Sequence, residues 1–378
     1  MTQTRTTVSG GLGRLAGHVL SDSGWVRGTV EFGDRIVAID GTAVGTTQGA
    51  ETYILPGFVD LHVHGGGGAD IMEGGDAPTV VARTHAGYGT TALLATTVTA
   101  SFDDTERALV ALASVCAGRI PGGARVAGVH LEGPYISPKK LGAQPDVARP
   151  ANVDEIDRFC ALAPVRLVTL APEIAGHGDA IRALVARGLR VQIGHTTASY
   201  DEGVAALAQG ATSFTHLFNA MTGLHHRDPG IVGAALAHAE YAEIIPDLLH
   251  VHPGAIRSAL RAIPRLYGVT DATSATGMPD GDYRLGSHTV HKCTNGVRLA
   301  DGTLAGSALT MDQALRNLVS LGLALEEASR RLSQYPAEYA RLTDRGRLAV
   351  GAWADIVVLD RDLRVTAVFG EGEPLWPR

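Results

Sequence analysis

The sequence predicts an α/β protein: a (β/α)8 TIM-type barrel joined to a small β-sandwich-like domain built from both chain termini. Three observations carry this reading. Between residues 56 and 344, short apolar runs alternate with Ala-rich amphipathic stretches, and the unit recurs eight times. On either side, over 1–55 and 345–378, the pattern changes to short β segments separated by turn residues. A chain of 378 residues, 45% of them hydrophobic, is long enough for one large barrel plus an accessory domain and supplies both with a core.

The N-terminal β segments are read at 13–20, 25–32 and 35–39, with Gly33-Asp34 and Asp40-Gly41 as turn signals. Their C-terminal counterparts are read at 355–359 and 363–369. Neither piece buries a core alone, so the two are expected to pair. The barrel strands are read at 58–64, 91–97, 125–131, 166–170, 189–194, 212–216, 242–247 and 265–270, most of them rich in Val, Ile, Leu and Thr. Such runs suit strands covered on both faces, as a parallel sheet requires. Helical stretches such as 105–117, 179–187 and 202–209 follow them, and those at 308–321 and 325–332 complete the outer ring. A doubly wound open sheet is the competing architecture, but no Gly-x-Gly-x-x-Gly opens a helix after the first strand.

A net charge of −7 and a pI near 6.1 argue against a nucleic-acid partner or an anionic membrane surface. Cys116, Cys160 and Cys293 lie far apart with no paired spacing, which suits a reducing compartment. Met1-Thr2-Gln3-Thr4-Arg5 leads into no apolar run, and no run approaches membrane-spanning length. A cytoplasmic protein is expected.

The functional signal is where polar residues fall within each unit. His62 and His64 end the first strand; two residues apart, they project to the same side, beside the flexible Gly65-Gly66-Gly67-Gly68. Glu132 follows the third strand, His195 follows the fifth, His216 ends the sixth and Asp271 ends the eighth. In a barrel these carboxyl-terminal ends meet on one rim, where barrel active sites sit. Any one of these residues alone reads as structural. Six of them at the same end of five strands read as a metal site. Imidazoles with carboxylates and no thiolate suit Zn2+, Fe2+, Mn2+ or Co2+. A divalent ion with an open position activates water, which then needs a proton acceptor, and Asp271 is the natural candidate. The reaction so implied is hydrolysis of an amide, ester or cyclic amide.

Pro56-Gly57-Phe58-Val59-Asp60-Leu61-His62-Val63-His64 resembles the opening signature of the amidohydrolase superfamily. Within it, His130-Leu131-Glu132-Gly133-Pro134-Tyr135, Thr215-His216-Leu217-Phe218-Asn219-Ala220-Met221 and His226-Arg227-Asp228-Pro229-Gly230 resemble the N-acetylglucosamine-6-phosphate deacetylases. So do Val269-Thr270-Asp271-Ala272, Gly277-Met278-Pro279-Asp280-Gly281 and Leu304-Ala305-Gly306-Ser307. The likeness runs from about Pro56 to Gly351-Ala352-Trp353-Ala354-Asp355. It implies metal-dependent removal of the N-acetyl group from N-acetyl-D-glucosamine 6-phosphate, giving glucosamine 6-phosphate and acetate, in amino-sugar catabolism and cell-wall recycling. Glu132, His195 and His216 then match the family's principal metal ligands and Asp271 its catalytic acid/base. His62 and His64 match a second metal position that some members retain, so one or two ions per subunit are implied, with zinc first in line. Asn219, Ala220, Arg227 and His250 match groups that hold the sugar phosphate, Arg227 by reaching across a homodimer interface.

Two departures stand out. Gln144 occupies a place where the family often carries a histidine that donates to the acetyl carbonyl; its amide is a neutral donor, so weaker polarisation or a shifted substrate preference is expected. Leu248 replaces the usual glycine two residues before His250. Residues 278–294 read as a hairpin over the site, a candidate lid. The competing functions are deacetylation of a related sugar such as N-acetylgalactosamine 6-phosphate, cyclic-amide hydrolysis, and a scaffold without catalysis. Cyclic-amide members often place a lysine after strand four, and Leu170-Ala171-Pro172-Glu173 has none. A scaffold would show broken ligands, whereas Glu132, His195, His216 and Asp271 are intact.

Overall fold

Alternate apolar residues of the N-terminal segments turn inward, and the strands they make are β1 (Gly13–Ser21), β2 (Gly24–Phe32), β3 (Ile36–Ala43) and β4 (Thr52–Pro56). The computed structural model describes residues 12–376 apart from 46 and 48; residues 1–5, in which the sequence shows no apolar run, lie outside the described residues. The barrel strands are β5 (Phe58–Val63), β6 (Thr90–Thr97), β7 (Arg125–Glu132), β8 (Val165–Leu170), β9 (Arg190–Ile193), β10 (Ser213–Phe214), β11 (Tyr241–Ile244) and β12 (Arg265–Gly268). An insertion follows as β13 (Gly281–Leu285), β14 (His288–Cys293) and β15 (Gly296–Arg298). The chain ends in β16 (Ile356–Asp360), β17 (Val365–Gly370) and β18 (Glu373–Trp376).

The two terminal pieces share one seven-stranded sheet in the order β18-β17-β16-β4-β1-β2-β3. The join lies at β4, parallel to β1 and antiparallel to β16, so that Val19, Ile54 and Val358 align across three strands, all fully buried. With Leu15, Val30, Phe32 and Ile356 they form a small core of their own. The fold class read from the sequence is thus the one observed.

Six barrel strands form one parallel sheet in the order β10-β9-β8-β7-β6-β5, and β11 pairs in parallel with β12. The ring closes through the backbone: Leu217 N–H donates to Glu243 O at 2.9 Å on one side, and Asp271 N–H donates to His62 O at 2.9 Å on the other. Every residue of β5 and β6 is buried, as strands covered on both faces require. Helices pack outside them, and their starts are set by capping. Phe102–Ala117 begins three residues earlier than its apolar pattern, because Ser101 accepts the Asp104 N–H at 3.2 Å. Tyr200–Ala208 begins at a reciprocal box between Ser199 and Glu202.

The strands stop sooner than the apolar runs do. β10 ends at Phe214 and β12 at Gly268, because His216 (φ +30°) and Asp271 (φ +50°) turn the backbone out of the extended region. After β5, Gly67 and Gly68 adopt φ of +65° and +86°, which permits the sharp return of Ala69-Asp70 onto Gly65-Gly66. The segment read as a hairpin over the site is one: β13 and β14 pair antiparallel, and its Leu285 and Val290 pack on Met72 and Val98. Among the described residues no helix is long and apolar enough to cross a membrane.

Candidate active site

Each residue picked out at a strand end arrives at the same rim. His62 and His64, two apart on β5, face the same way with ring centroids 4.9 Å apart. Glu132 is the last residue of β7, and His195, His216 and Asp271 sit just beyond β9, β10 and β12. Those three have positive φ (47°, 30° and 50°), a region that costs a residue with a Cβ on the order of 1–3 kcal/mol. Three such turns among the six chemistry-bearing positions mean that the surrounding fold holds them there.

Glu132 is the hub. Its Oε1 lies 3.1 Å from His195 Nε2 and 3.0 Å from His216 Nε2; its Oε2 lies 3.1 Å from His64 Nε2 and 3.4 Å from His62 Nε2. Asp271 Oδ1 closes the first pair from the other side, 3.2 Å from His64 Nε2 and 3.4 Å from His62 Nε2. Glu132 joins two donor groups, His62-His64-Glu132 and Glu132-His195-His216, and a third, His62-His130-Glu243, shares His62 beneath them.

The protons show what these donor groups need. His195 Nδ1 faces Lys140 O at 2.7 Å and His64 Nδ1 faces Thr96 O at 3.2 Å. A carbonyl only accepts, so both Nδ1 atoms carry a hydrogen, and both Nε2 atoms point inward as the ring's available ligand atoms. His62 Nδ1 faces the Glu243 carboxylate at 3.0 Å, with the same consequence. Yet His62 Nε2 and His64 Nε2 are 3.1 Å apart, and carboxylate oxygens surround them. Ring nitrogens and carboxylates so arranged call for positive charge among them, protons or a metal ion. Burial alone would lower the imidazoles, but Glu132, Asp271 and Glu243 push His62 well above its ordinary value, and Asp271 and Glu132 push His64 up to about 9. Burial would likewise raise Asp271, yet His62 and His64 hold it down at about 2. The donor set fits a divalent metal ion of the nitrogen- and oxygen-binding kind.

A cavity of about 310 Å³ opens over this centre. Gln144, Asn219, Ala220 and His250 line it together with His64, Glu132, His195, His216 and Asp271. Arg227 does not: it is exposed in its own loop, its guanidinium 2.7 Å from His226 Nε2. The Gln144 amide is tied at both ends in the cavity wall. Its Oε1 accepts the Thr99 N–H at 2.6 Å, which fixes the amide so that Nε2 donates to Glu132 Oε2 at 2.6 Å. His250 is held by Asp247, Nδ1 to Oδ2 at 2.6 Å, beside Leu248 at φ +66°. A larger cavity of about 740 Å³ lies between the terminal sheet and the last helices, but no metal-ligating group among the described residues belongs to it. Chemistry, not size, picks the site.

Several contributors were not evident from sequence. Glu243 is fully buried against His62; its only signal is a lone carboxylate inside Tyr241-Ala242-Glu243-Ile244-Ile245. Asp60 accepts Thr270 Oγ1–H at 2.6 Å and so ties the first barrel strand to the segment after the last. Lys139 and Lys140 line the cavity, and nothing but adjacency in a loop marks them.

Fold and rim together define a class: a barrel hydrolase whose carboxyl-terminal rim carries a candidate metal centre with a second carboxylate beside it. Residues 53–376 match the amidohydrolase family. The N-acetylgalactosamine-6-phosphate deacetylase of Escherichia coli is 38% identical over 370 residues, 95% of this chain and 97% of the relative. The N-acetylglucosamine-6-phosphate deacetylase of Lysinibacillus sphaericus is 38% identical over 338 residues, 86% of each chain. A mutant N-acetyl-D-glucosamine-6-phosphate deacetylase from Mycobacterium smegmatis, solved in complex with N-acetyl-D-glucosamine-6-phosphate, has a TM-score of 0.88 at 38% identity, covering 95% of this chain and 98% of that one. The chain belongs to the amidohydrolase family, in the branch formed by these sugar-phosphate deacetylases.

Proposed function

We propose that the protein hydrolyses the N-acetyl group of N-acetyl-D-glucosamine 6-phosphate to glucosamine 6-phosphate and acetate. The observation that carries this reading is the shared carboxylate: Glu132 joins two imidazole pairs, and Asp271 stands within 3.4 Å of one of them at the cavity floor. Glu132, His195 and His216 would hold the principal metal ion, with His62 and His64 offering a second position. Zinc is the first candidate, and iron, manganese and cobalt suit the same donors. Once bound, such an ion supplies Lewis-acid polarisation of the acetyl carbonyl and activation of water. Asp271, held at about 2, is a carboxylate at neutral pH. It takes the proton of the attacking water and returns it to the amide nitrogen as the C–N bond breaks.

Asn219, Ala220 and His250 are the cavity groups proposed to hold the sugar phosphate. Arg227 serves that phosphate only if it comes from a second copy, so the active species is proposed to be a homodimer, working in the cytoplasm. Arg227→Ala is expected to raise KM for the phosphorylated sugar far more than for its unphosphorylated analogue; equal effects would remove Arg227 from phosphate binding.

The E. coli relative's activity gives the N-acetylgalactosamine epimer a specific claim as a second reading. Acetate release from both N-acetylhexosamine 6-phosphates and from free N-acetylglucosamine, with metal content measured on the same sample, decides between them. Turnover confined to the glucosamine epimer supports the proposal, and a preference for the galactosamine epimer replaces it. No turnover on either ester by metal-loaded protein overturns both.

A further inference from the structure

We infer that Glu243 is a positioning residue that holds both halves of the metal centre from beneath. The inference rests on reading the two imidazole pairs as ligands, as proposed above. Glu243 lies in the middle of β11, fully buried, and its Oε2 lies 3.0 Å from His62 Nδ1 and accepts the His216 N–H at 3.2 Å. His62 belongs to one donor group and His216 to the other, so a single oxygen reaches across both. A carboxylate accepts only, so it fixes the hydrogen of His62 on Nδ1 and aims Nε2 at His64 and Glu132. The contact with His216 acts on the backbone. His216 sits at φ +30°, where its N–H has left the strand ladder, and the carboxylate receives that N–H.

Glu243 is itself fixed by a run of side chains through the barrel interior. Tyr267 Oη donates to Glu243 Oε1 at 3.4 Å and accepts from Gln192 Nε2 at 2.8 Å. Gln192 Oε1 accepts from Thr215 Oγ1 at 3.0 Å, and Thr215 and Thr169 hydroxyls meet at 2.8 Å. His130 continues the run, 2.7 Å from Thr169 Oγ1 and 3.1 Å from Leu61 O, the residue before His62. The network therefore leaves β11 and returns to β5, spanning the barrel beneath the ligands. Such a carboxylate is needed for neither water activation nor substrate contact; it makes the ligands stand where they do.

The test compares Glu243→Leu and Glu243→Gln with the wild type. In Gln the amide oxygen still accepts from His62 and His216 while the NH2 faces Tyr267, so orientation survives and the charge does not. Zinc affinity, by competition with a chromogenic chelator, is expected to fall 10- to 100-fold in the Leu variant and to recover most of that in Gln. In metal-free protein labelled with 15N-histidine, His62 is expected to give a low-field Nδ1–H resonance that moves upfield in Gln and vanishes in Leu. A Leu variant with wild-type zinc affinity and the His62 hydrogen still on Nδ1 overturns the inference. If Leu fails to fold, the Gln resonance decides: no movement from the wild-type position overturns it. Neither readout needs substrate, so a protein that passes both and releases no acetate keeps Glu243 in this role and loses the proposed reaction.

Discussion

Strand β7 begins in one cluster of buried charge and ends in another. Arg125, its first residue, grips Glu371 with Nε to Oε1 at 2.8 Å and Nη2 to Oε2 at 2.9 Å. Arg345 and Arg119 also donate to Glu371, and Arg345 continues to Asp355 at 2.5 Å. Glu132, its last residue, meets imidazoles and the Gln144 amide and, among the described residues, no guanidinium or ammonium group. Both clusters hold a carboxylate well down: burial would raise Glu371, but Arg125 and Arg345 bring it to about 2, the same value as Asp271 on the rim. A perturbed pKa therefore does not distinguish them. The counter-charge does. Guanidiniums are permanently charged, so the cluster at β7's start satisfies itself and welds the terminal sheet to the barrel. The rim's only counter-charge is protons on its imidazoles, which a divalent cation displaces when the same nitrogens ligate it.

The widest separation between the clusters is expected from deleting each hub. Glu132→Ala removes the carboxylate shared by both donor groups. Metal content, measured by mass spectrometry, should fall to near zero, and acetate release by at least ~10³-fold, while the metal-free protein still folds. Glu371→Ala removes an acceptor shared by three guanidiniums instead, two of them largely buried, and leaves Arg125 with no carboxylate partner among the described residues. Unfolding free energy should drop by about 3–5 kcal/mol with metal content unchanged. If Glu371→Ala sheds metal, or Glu132→Ala unfolds the chain, the division of labour drawn here is wrong. Within the rim, Asp271→Asn should lower kcat by about 10²–10⁴-fold while metal is retained, because only the proton carrier is lost.

The same contrast explains what the sequence made legible. Barrel strands such as β5 and β6 are visible because covering both faces leaves short runs dominated by apolar and threonine side chains. Their ends are less visible. His195, His216 and Asp271 were assigned near strand ends by their chemistry, but the left-handed turns that cut β10 and β12 short depend on contacts made elsewhere in the barrel. Glu243 stayed hidden because its meaning is a contact with His62, 181 residues away in sequence. Gln144 was visible as a substitution, yet its amide direction is dictated by Thr99, which no local pattern connects to it.

Acid tests the self-satisfied cluster. Glu371 falls from an ordinary 4.5 to about 2 in the fold, facing Arg119, Arg125 and Arg345, with Asp355 accepting its backbone N–H. A depressed carboxylate stabilises fully above the unfolded value and loses that contribution as pH falls through the folded one. At about 1.4 kcal/mol per unit, the shift amounts to about 3 kcal/mol, lost between pH 4.5 and 2. Denaturant titrations across that window should show the loss in the wild type, and Glu371→Gln should flatten it. An equal slope in the variant would assign the acid sensitivity to other carboxylates.

The smallest effect expected separates the arginines of that cluster from one another. Arg119 reaches Glu371 at 2.5 Å and Asp34 at 3.1 Å, but its side chain is 41% exposed, whereas that of Arg125 is 21% exposed and grips both carboxylate oxygens. Water screens the first contact and replaces much of it on truncation. Arg119→Ala should therefore cost about 0–1 kcal/mol, and Arg125→Ala clearly more, because its loss leaves a buried carboxylate with one fewer forked partner. The two variants remove the same side-chain chemistry from the same acceptor, so a difference in midpoint reports burial together with the forked grip of Arg125. Equal losses would mean that Glu371 weighs its arginines by number and not by depth, and the weld between sheet and barrel would then be a surface feature and not a buried one.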